Sequence, residues 1–474
     1  MRLCKRLVCP LLITVGVLIA MTLMLPSNAG AGQPMDEEEQ PDFMEAGVES
    51  QANVIFGADV PLSTVGGQLP EVVANGSFVA MVYERNNLVY MRAVKATEAK
   101  WGLTAQVHTV AGTVPRLAFR PGSASTVHVV WTGSNAGGQP ERVIRHRVCT
   151  LANLTISCSG AVTDIASTAA GQLKTPDIVI SSDGVIHVAW YDTNTGQIKT
   201  ARSTNINGTG WVINPTPINV SSTAFAGEPV LAATANHIHL AFKDKVGGFG
   251  RVEYRRLNKS NHSINLSRSH SGVIFPSFSN EASNLAIAAA GSNIYLAWAN
   301  QHNSNPRLYG LVGVQYTSEG SSTGQVVDIP SNTELNPGDP TAKAAQDGAT
   351  PPVEDGLRPS LVMTATSQFA IVWQERGNVT CNPLGGGGPF VSQIHYASPS
   401  SNWGVAGTLT GVSNEYKVDP DIAVDGNGTH IVFMKAGDPG DCTGAAFGGY
   451  RIYYRGPFTE VLSDGGIYLP IVMK

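Results

Sequence analysis

Acidic and basic side chains recur at two kinds of position along this 474-residue chain. Some lie beside a proline that opens a short apolar run, and others lie two residues after an aromatic that closes the next run. The candidate ligand-binding residues are Arg116, Asp177, Glu228, Arg358 and Asp421 beside the prolines, and Asp192, Asp244 and Glu375 after the aromatics. Carboxylates in one cleft can act as acid, base or nucleophile, and arginine can bind an anionic group. Such residues also occur as ordinary solvated or mutually paired side chains.

The elements that would position these side chains are short strands. Residues 184–203, GVIHVAWYDTNTGQIKTARS, alternate apolar and polar residues on both sides of a turn of small residues. This pattern is typical of two antiparallel strands joined in a hairpin. It recurs seven times, and in six copies a proline opens the first run: Pro70, Pro115, Pro176, Pro229, Pro359 and Pro420.

An aromatic residue closes the second run of every copy. These aromatic anchors are Tyr83, Trp131, Trp190, Phe242, Trp298, Trp373 and Phe433, and each follows its first anchor by 13 to 16 residues. A third strand follows, and several copies add a fourth run that begins with Trp. Small four-stranded units of this kind bury their faces against each other around a ring. The repeat therefore predicts an all-β fold, a seven-bladed β-propeller of four-stranded blades.

One repeated unit carries a family resemblance. The pattern D-G-x-(I/T)-H-(V/I)-x-(W/F), in SSDGVIHVAW and VDGNGTHIVF, resembles the sialidase-like propellers that carry bacterial neuraminidase repeats, and it implies their fold. The Asp-Gly turn here precedes a whole strand before Trp190, unlike the family's Asp-box. The run VPRLAF contains Arg116 without the family's Arg-Ile-Pro motif. We carry over the fold alone, and the catalytic residues stay unassigned.

Three functions are compatible with this resemblance. The first is a secreted module that binds a carbohydrate or a cell-surface component, without catalysis. The alternative is an exo-acting glycoside hydrolase of sialidase type, which needs two carboxylates about 5 to 9.5 Å apart. The residues that could supply such a pair are Asp177, Asp192, Glu228, Asp244 and Glu375. The third is a purely structural surface protein, because propellers of one fold serve many functions.

The longest connections belong to blades 5, 6 and 7. They include an insertion over residues 317–356 that is rich in Pro, Ser, Thr and Gly. Long loops on one sector of a rigid ring are frequent binding sites. We therefore expect the ligand on the blade 5 to 7 side of the loop face.

The ends of the chain predict export. In residues 1–31 three basic residues precede an apolar stretch and Ala29-Gly30-Ala31 follows it, which is typical of a signal peptide; an uncleaved leader would be the only membrane contact. Residues 32–52 form an acidic spacer, 53–460 the propeller and 461–474 a C-terminal tail. We expect a secreted or extracytoplasmic cell-surface protein of a bacterium.

Charge and composition limit the partners. The first 50 residues hold 3 of the 31 Lys and Arg and 7 of the 36 Asp and Glu, which leaves 28 against 29 in the rest. A nearly neutral propeller offers no electrostatic basis for binding nucleic acid or an anionic membrane. We expect a monomer. The sequence predicts no cofactor, and it leaves a bound calcium ion open.

Four cysteines follow the leader, and their positions predict two disulfides. Cys149 and Cys158 flank a short turn, and Cys381 and Cys442 occupy equivalent loops of adjacent blades.

Four histidines each precede an aromatic anchor by three residues: His128, His187, His239 and His430. One histidine in each of four blades predicts repeated packing between blades, and we assign no metal site.

Overall fold

The structure is a computed structural model that describes the chain in segments. These are residues 59–63, 66–219, 227–246, 249–273, 285–302, 305–322, 324–329, 359–363, 369–378, 390–397, 406–408, 417–435, 450–458 and 460–461. The predicted signal peptide and acidic spacer lie outside the described residues. So do residues 462–474 of the predicted tail and most of the long connections of blades 5 to 7.

Blades 1 to 3 follow each other along the chain after a two-residue strand, β1 (Val60–Pro61). Blade 1 contains β2 (Gly67–Ala74), β3 (Phe78–Arg85), β4 (Leu88–Lys95), β5 (Lys100–Trp101) and β6 (Ala105–Gln106). Blade 2 contains β7 (Gly112–Phe119), β8 (Thr126–Gly133), β9 (Val143–Ala152), β10 (Thr155–Ser157) and β11 (Thr163–Ser167). Blade 3 contains β12 (Leu173–Ile180), β13 (Ile186–Asp192), β14 (Gln197–Ser203) and β15 (Trp211–Ile213).

Blades 4 to 7 repeat the same order. Blade 4 contains β16 (Gly227–Ala233), β17 (His237–Val246), β18 (Phe249–Asn258) and β19 (Ile264–Val273). Blade 5 contains β20 (Leu285–Ala290), β21 (Asn293–His302), β22 (Asn305–Tyr316) and β23 (Gln325–Ile329), with a 3₁₀ turn at Ser318–Gly320. Blade 6 contains β24 (Ser360–Met363), β25 (Phe369–Asn378), β26 (Phe390–Ala397) and β27 (Ala406–Thr408). Blade 7 contains β28 (Lys417–Asp425), β29 (Gly428–Lys435) and β30 (Arg451–Arg455).

The described strands thus form seven sheets arranged in a ring, antiparallel apart from one short parallel pair in the sheet of blade 1. Their first strands contact one another in the cyclic order β2, β7, β12, β16, β20, β24, β28 and back to β2. The sheets of blades 3 to 6 each take four strands from one continuous stretch of chain, and blade 7 takes its fourth strand from β1. The sheets of blades 1 and 2 add short outer strands to the same four-stranded pattern. The prediction of an all-β propeller with four-stranded blades is confirmed.

Both ends of the described chain meet at the seam between blades 7 and 1. Strand β1 pairs antiparallel with β30 through Val60 and Tyr454, and β31 (Glu460–Val461) pairs in parallel with β5. Beyond β1, the N–H of Leu62 donates to Ile452 O at 2.7 Å. Strand β1 therefore closes the ring by completing the sheet of blade 7.

The aromatic anchors form the contacts between neighbouring blades. All seven are at most 2% exposed. Trp131 packs with residues of blades 1 and 2, Trp190 with blades 2 and 3, and Trp298 with blades 4 and 5. Each of these rings therefore buries its area against the preceding blade. Burial of this kind is the main stabilising contribution in a fold built from small sheets.

Five of the six prolines sit at a β-bulge within the first strand, and the sixth, Pro359, directly precedes β24. In blades 1, 2, 3, 4 and 7 the register of the first strand shifts there. The residue before the proline has a positive φ in each case: Leu69, Val114, Thr175, Glu228 and Asp419, at 45° to 51°. A proline has no N–H to give to the ladder, so the bulge accommodates it.

Candidate functional site

The first strands of all seven blades surround a cavity of about 520 Å³ on the ring axis. The residue directly after each proline anchor lines this channel. It is charged in four consecutive blades around the ring: Asp421 in blade 7, Glu71 in blade 1, Arg116 in blade 2 and Asp177 in blade 3. In blades 4 and 6 the same position holds Val230 and Ser360. The channel therefore has a charged arc on one side.

Each carboxylate of the charged arc bonds the main chain of the next blade. Asp421 Oδ2 accepts the N–H of Val72 at 2.6 Å. Glu71 Oε1 accepts the N–H of Leu117 at 3.2 Å, and Asp177 Oδ2 accepts the N–H of Leu231 at 2.6 Å. The acceptor lies directly after the proline each time, and in all three pairs the donor is the second residue after the proline of the neighbouring first strand. These bonds link blades 7 to 1, 1 to 2 and 3 to 4.

Arg116 is the one cation among the described residues that line the channel. Its Nε lies 3.2 Å from Glu71 Oε2, and the two side chains keep 20% and 16% exposure because they face the cavity. Burial opposes the charge of Arg116, but the carboxylates of Glu71, Asp177 and Asp421 outweigh it and raise the pKa of the guanidinium. Arg116 is therefore fully charged and already engaged by its neighbours.

Burial dominates the protonation of the three carboxylates. It raises the pKa of Asp177 to about 6, against the lowering effect of Arg116 and of the amides of Leu231 and Ile178. Burial also raises the pKa of Glu71 well above its usual range, and that of Asp421 above its usual range. One guanidinium thus compensates only part of the cost of placing three carboxylates in one narrow channel.

The opposite side of the channel is apolar and built from small residues. Blades 4 and 5 contribute Ala232, Ala233, Ala286, Ala288 and Ala289, together with Val230. The cavity consequently offers hydrogen-bonding and charged groups on one wall and a smooth apolar wall facing it. A ligand with a polar edge and an apolar face fits this arrangement.

The structure brings three of the eight predicted site residues together, namely Arg116, Asp177 and Asp421. Glu228 instead forms an ion pair with Lys243 at 2.5 Å, and Asp192 accepts the N–H of Asn194 at 3.0 Å in a turn. Asp244 is fully buried on β17. None of these three lines the channel.

Two predicted site residues fall where the structure gives no side-chain position. Arg358 lies outside the described residues, and Glu375 is described only through its backbone in β25, opposite Gln393. The predicted binding sector formed by the long loops of blades 5 to 7 likewise lies largely outside the described residues. That expectation stays a prediction.

Glu71 is the channel residue that the candidate set lacks. It follows Pro70 as Asp177 follows Pro176 and Asp421 follows Pro420, so the sequence held the signal. Ser360 occupies the same position in blade 6, and its hydroxyl donates to Asp421 Oδ1 at 2.5 Å. The rule that finds both residues is the position directly after the proline, whatever the residue type.

The four repeated histidines are buried and hydrogen-bonded. His239 Nδ1 lies 2.7 Å from the Tyr254 hydroxyl, and His430 Nδ1 lies 2.9 Å from the Tyr454 hydroxyl, each within one sheet. His128 bonds a histidine of its own sheet, whereas His187 bonds one of the next blade. Of the four, His187 bonds directly across a blade junction, and the expected packing of the other three between blades stays a prediction. No cluster of three potential metal ligands occurs among the described residues.

Cys149 and Cys158 form a disulfide, as predicted. The bridge joins the end of β9 to the residue after β10, so it closes the outer hairpin of blade 2. Cys381 and Cys442 lie outside the described residues, and their pairing stays a prediction.

Within the described part of the chain, no helix is long and apolar enough to span a membrane.

Comparison with known proteins finds similarity in solved structures. No family model and no curated protein matches the chain. A polysaccharide lyase is 10% identical, with 87% of this chain and 93% of that chain covered and a TM-score of 0.44. The phage phi92 endosialidase is also 10% identical, with 88% of this chain and 72% of that chain covered and a TM-score of 0.45.

A mutant of Trypanosoma rangeli sialidase displaying trans-sialidase activity also resembles the chain. It is 9% identical, with 84% of this chain covered and a TM-score of 0.43; the match spans 57% of the sialidase. The fold of the present chain is assigned from its own strand pairing and ring of contacts.

Proposed function

We propose that this chain is a secreted, seven-bladed sialidase-like propeller that binds a glycan or another surface component without cleaving it. The ligand enters the axial channel and lies between the charged arc and the apolar wall of blades 4 and 5. A sugar ring has hydroxyl groups at its edge and C–H groups on its faces, so it matches both walls.

The observation that carries the proposal is the use of the channel carboxylates. Glu71, Asp177 and Asp421 each accept a main-chain N–H of a neighbouring blade. Both oxygens of Glu71 and both oxygens of Asp421 are engaged within the protein, whereas a general acid or a nucleophile must present an oxygen to the substrate. Arg116, the cation on this wall, is held by Glu71. These contacts support a binding role over hydrolysis, and they disfavour ligands that carry a carboxylate.

The second candidate is a glycoside hydrolase of sialidase type. Burial raises the pKa of Asp177 to about 6, which suits a general acid near neutral pH. In that case Asp177→Asn abolishes hydrolysis of fluorogenic glycosides while the variant stays folded. A binding module shows no turnover with any of these substrates, sialosides included.

A channel variant tests the binding role directly. Val230 occupies the position after the proline in blade 4 and lines the cavity, so Val230→Trp narrows it. We expect this variant to lose binding on a glycan array on which the wild-type protein binds. Val212→Trp is the matched control, because Val212 is 43% exposed on β15, away from the channel. Equal binding by both variants would place the ligand outside the channel.

A further inference from the structure

Two buried imidazoles meet at the junction between blades 3 and 4. His187 lies on β13, and His262 lies in the hairpin between β18 and β19. Nδ1 of His187 is 2.8 Å from Nε2 of His262, and the two residues are 0% and 2% exposed. In a hydrogen bond between two imidazoles one ring donates and the other accepts, so the accepting ring must be neutral.

The surroundings of the pair offer little to balance a charge. Ser181 Oγ lies 3.0 Å from Nε2 of His187, and Arg202 is its register partner on β14. The one nearby carboxylate, Asp183, already lies 3.3 Å from Lys259 Nζ. Asn214 donates to the main-chain oxygen of His262 at 3.4 Å. Two cations and one engaged carboxylate thus face the pair.

These surroundings keep both rings neutral in the folded protein. Burial, together with the charges of His262, Lys259 and Arg202, lowers the pKa of His187 to about 3, and the carboxylate of Asp183 opposes only part of this shift. Burial and Arg202 lower the pKa of His262 to about 4. In an open junction, where both rings meet water, each takes up a proton near pH 6.5. Opening is therefore coupled to proton uptake as the pH falls below about 6.5.

We propose that the His187–His262 pair is an acid-sensitive latch that releases blade 4 from blade 3. Protonation of both rings places two donors face to face, which breaks their hydrogen bond. The hairpin that carries His262 and Lys259 then separates from the β12–β13 turn. The latch joins elements about 75 residues apart, so its opening loosens a junction rather than a single turn.

A carboxylate at the same junction, Asp177, has the opposite pH dependence, because it loses a proton when the junction opens. Asp177 on β12 accepts the N–H of Leu231 on β16, and its pKa in the folded state is raised to about 6. An opening that also frees Asp177 releases one proton while the histidines take up two. Net proton uptake on opening is thus one proton if Asp177 is freed and two if it is not. The opening constant, which is the equilibrium constant for opening this junction, therefore rises about 10-fold or about 100-fold per pH unit as the pH falls from about 6 to about 4.

Hydrogen exchange of the full chain, followed by mass spectrometry at several pH values, tests the latch. Protection factors are corrected for the intrinsic pH dependence of exchange. Peptides from the β18–β19 hairpin should lose protection by at least about 10-fold per pH unit relative to peptides from β2 to β5, which contain no histidine. Equal pH dependence in the two regions would overturn the proposal, and this comparison needs no variant.

The variant His262→Gln isolates the contribution of the pair. Its amide can still donate to His187, but it does not titrate. The slope of the opening constant against pH should therefore be one proton lower, about 10-fold less per pH unit. The control is His239→Gln, because His239 bonds Tyr254 inside blade 4 and leaves the junction unchanged. Unchanged slope in His262→Gln would show that this pair does not control the opening.

Discussion

Asp421 ties three blades together, and its removal gives a quantitative test of the channel contacts. One oxygen accepts the N–H of Val72 in blade 1 at 2.6 Å, and the other accepts the hydroxyl of Ser360 in blade 6 at 2.5 Å. Asp421→Ala removes both acceptors and leaves a buried amide without a partner. Hydrogen bonds to a charged group contribute about 1.5 to 3 kcal/mol each.

The net effect is smaller than the sum of two such bonds. Burial raises the pKa of Asp421, so the ionised side chain carries a desolvation cost that the alanine variant does not. We expect the free energy of unfolding to fall by about 2 kcal/mol. Asp421→Asn should lose less, because its amide oxygen still accepts from Val72 and the group stays neutral.

Chemical denaturation followed by tryptophan fluorescence measures this change. Asp192→Ala is the control, because Asp192 bonds only a turn amide in an exposed hairpin, and its cost should stay under about 0.5 kcal/mol. If Asp421→Ala and Asp192→Ala shift the denaturation midpoint equally, the bonds across the channel do not hold the blades together.

Three further outcomes follow from the contacts described, and a fourth follows from the sequence. Gly112→Ala should cost about 1 to 3 kcal/mol of unfolding free energy, since a Cβ there would overlap the ring of Trp131, whereas Gly227→Ala, with open space around it, should be nearly neutral; thermal melts of the pair decide this. Replacing both Cys149 and Cys158 by Ser should cost at most about 3 kcal/mol, because the bridge closes a short loop; a larger loss in a denaturant titration would show that the bridge does more than limit the unfolded chain. Five buried histidines have lowered pKa values: His128, His146, His187, His239 and His262. Below about pH 6.5 the unfolded chain therefore binds more protons than the folded chain, so the free energy of unfolding should fall as the pH falls from about 6.5 to about 4. Unfolding midpoints measured across this pH range check the sign. Peptide mapping without reduction should recover Cys381 joined to Cys442, and free thiols at both would refute that pairing.

The repeat could be predicted from the sequence because burial imposes it. Every blade must present a large ring to the preceding blade, so residues such as Trp131 and Trp190 recur at nearly constant spacing. The disulfide between Cys149 and Cys158 could also be predicted, because a short turn holds the two cysteines close together. Both signals are local in the chain, and local patterns survive without knowledge of tertiary contacts.

The bulges at five of the prolines could not be predicted from the sequence. Leu69 and Val114 adopt a positive φ although neither is glycine, asparagine or aspartate. Such a conformation persists because the surrounding sheet imposes it. The bulge decides which neighbour of the proline lines the channel, so the prediction kept Glu228 and omitted Glu71. The hydrogen-bond partners of the histidines also could not be predicted, because they depend on the register between strands, which the sequence alone does not show.

The closure of the ring has a mechanical consequence. Strand β1 holds blade 7 through two paired residues, Val60 and Pro61, and β31 holds blade 1 through two more. A pull that draws Val60 and Val461 apart acts on these short contacts before it reaches any long strand. Under tension the propeller should thus open at the seam between blades 7 and 1 and unwind one blade at a time. Its resistance to force is set by a few main-chain bonds, however much apolar area the ring buries.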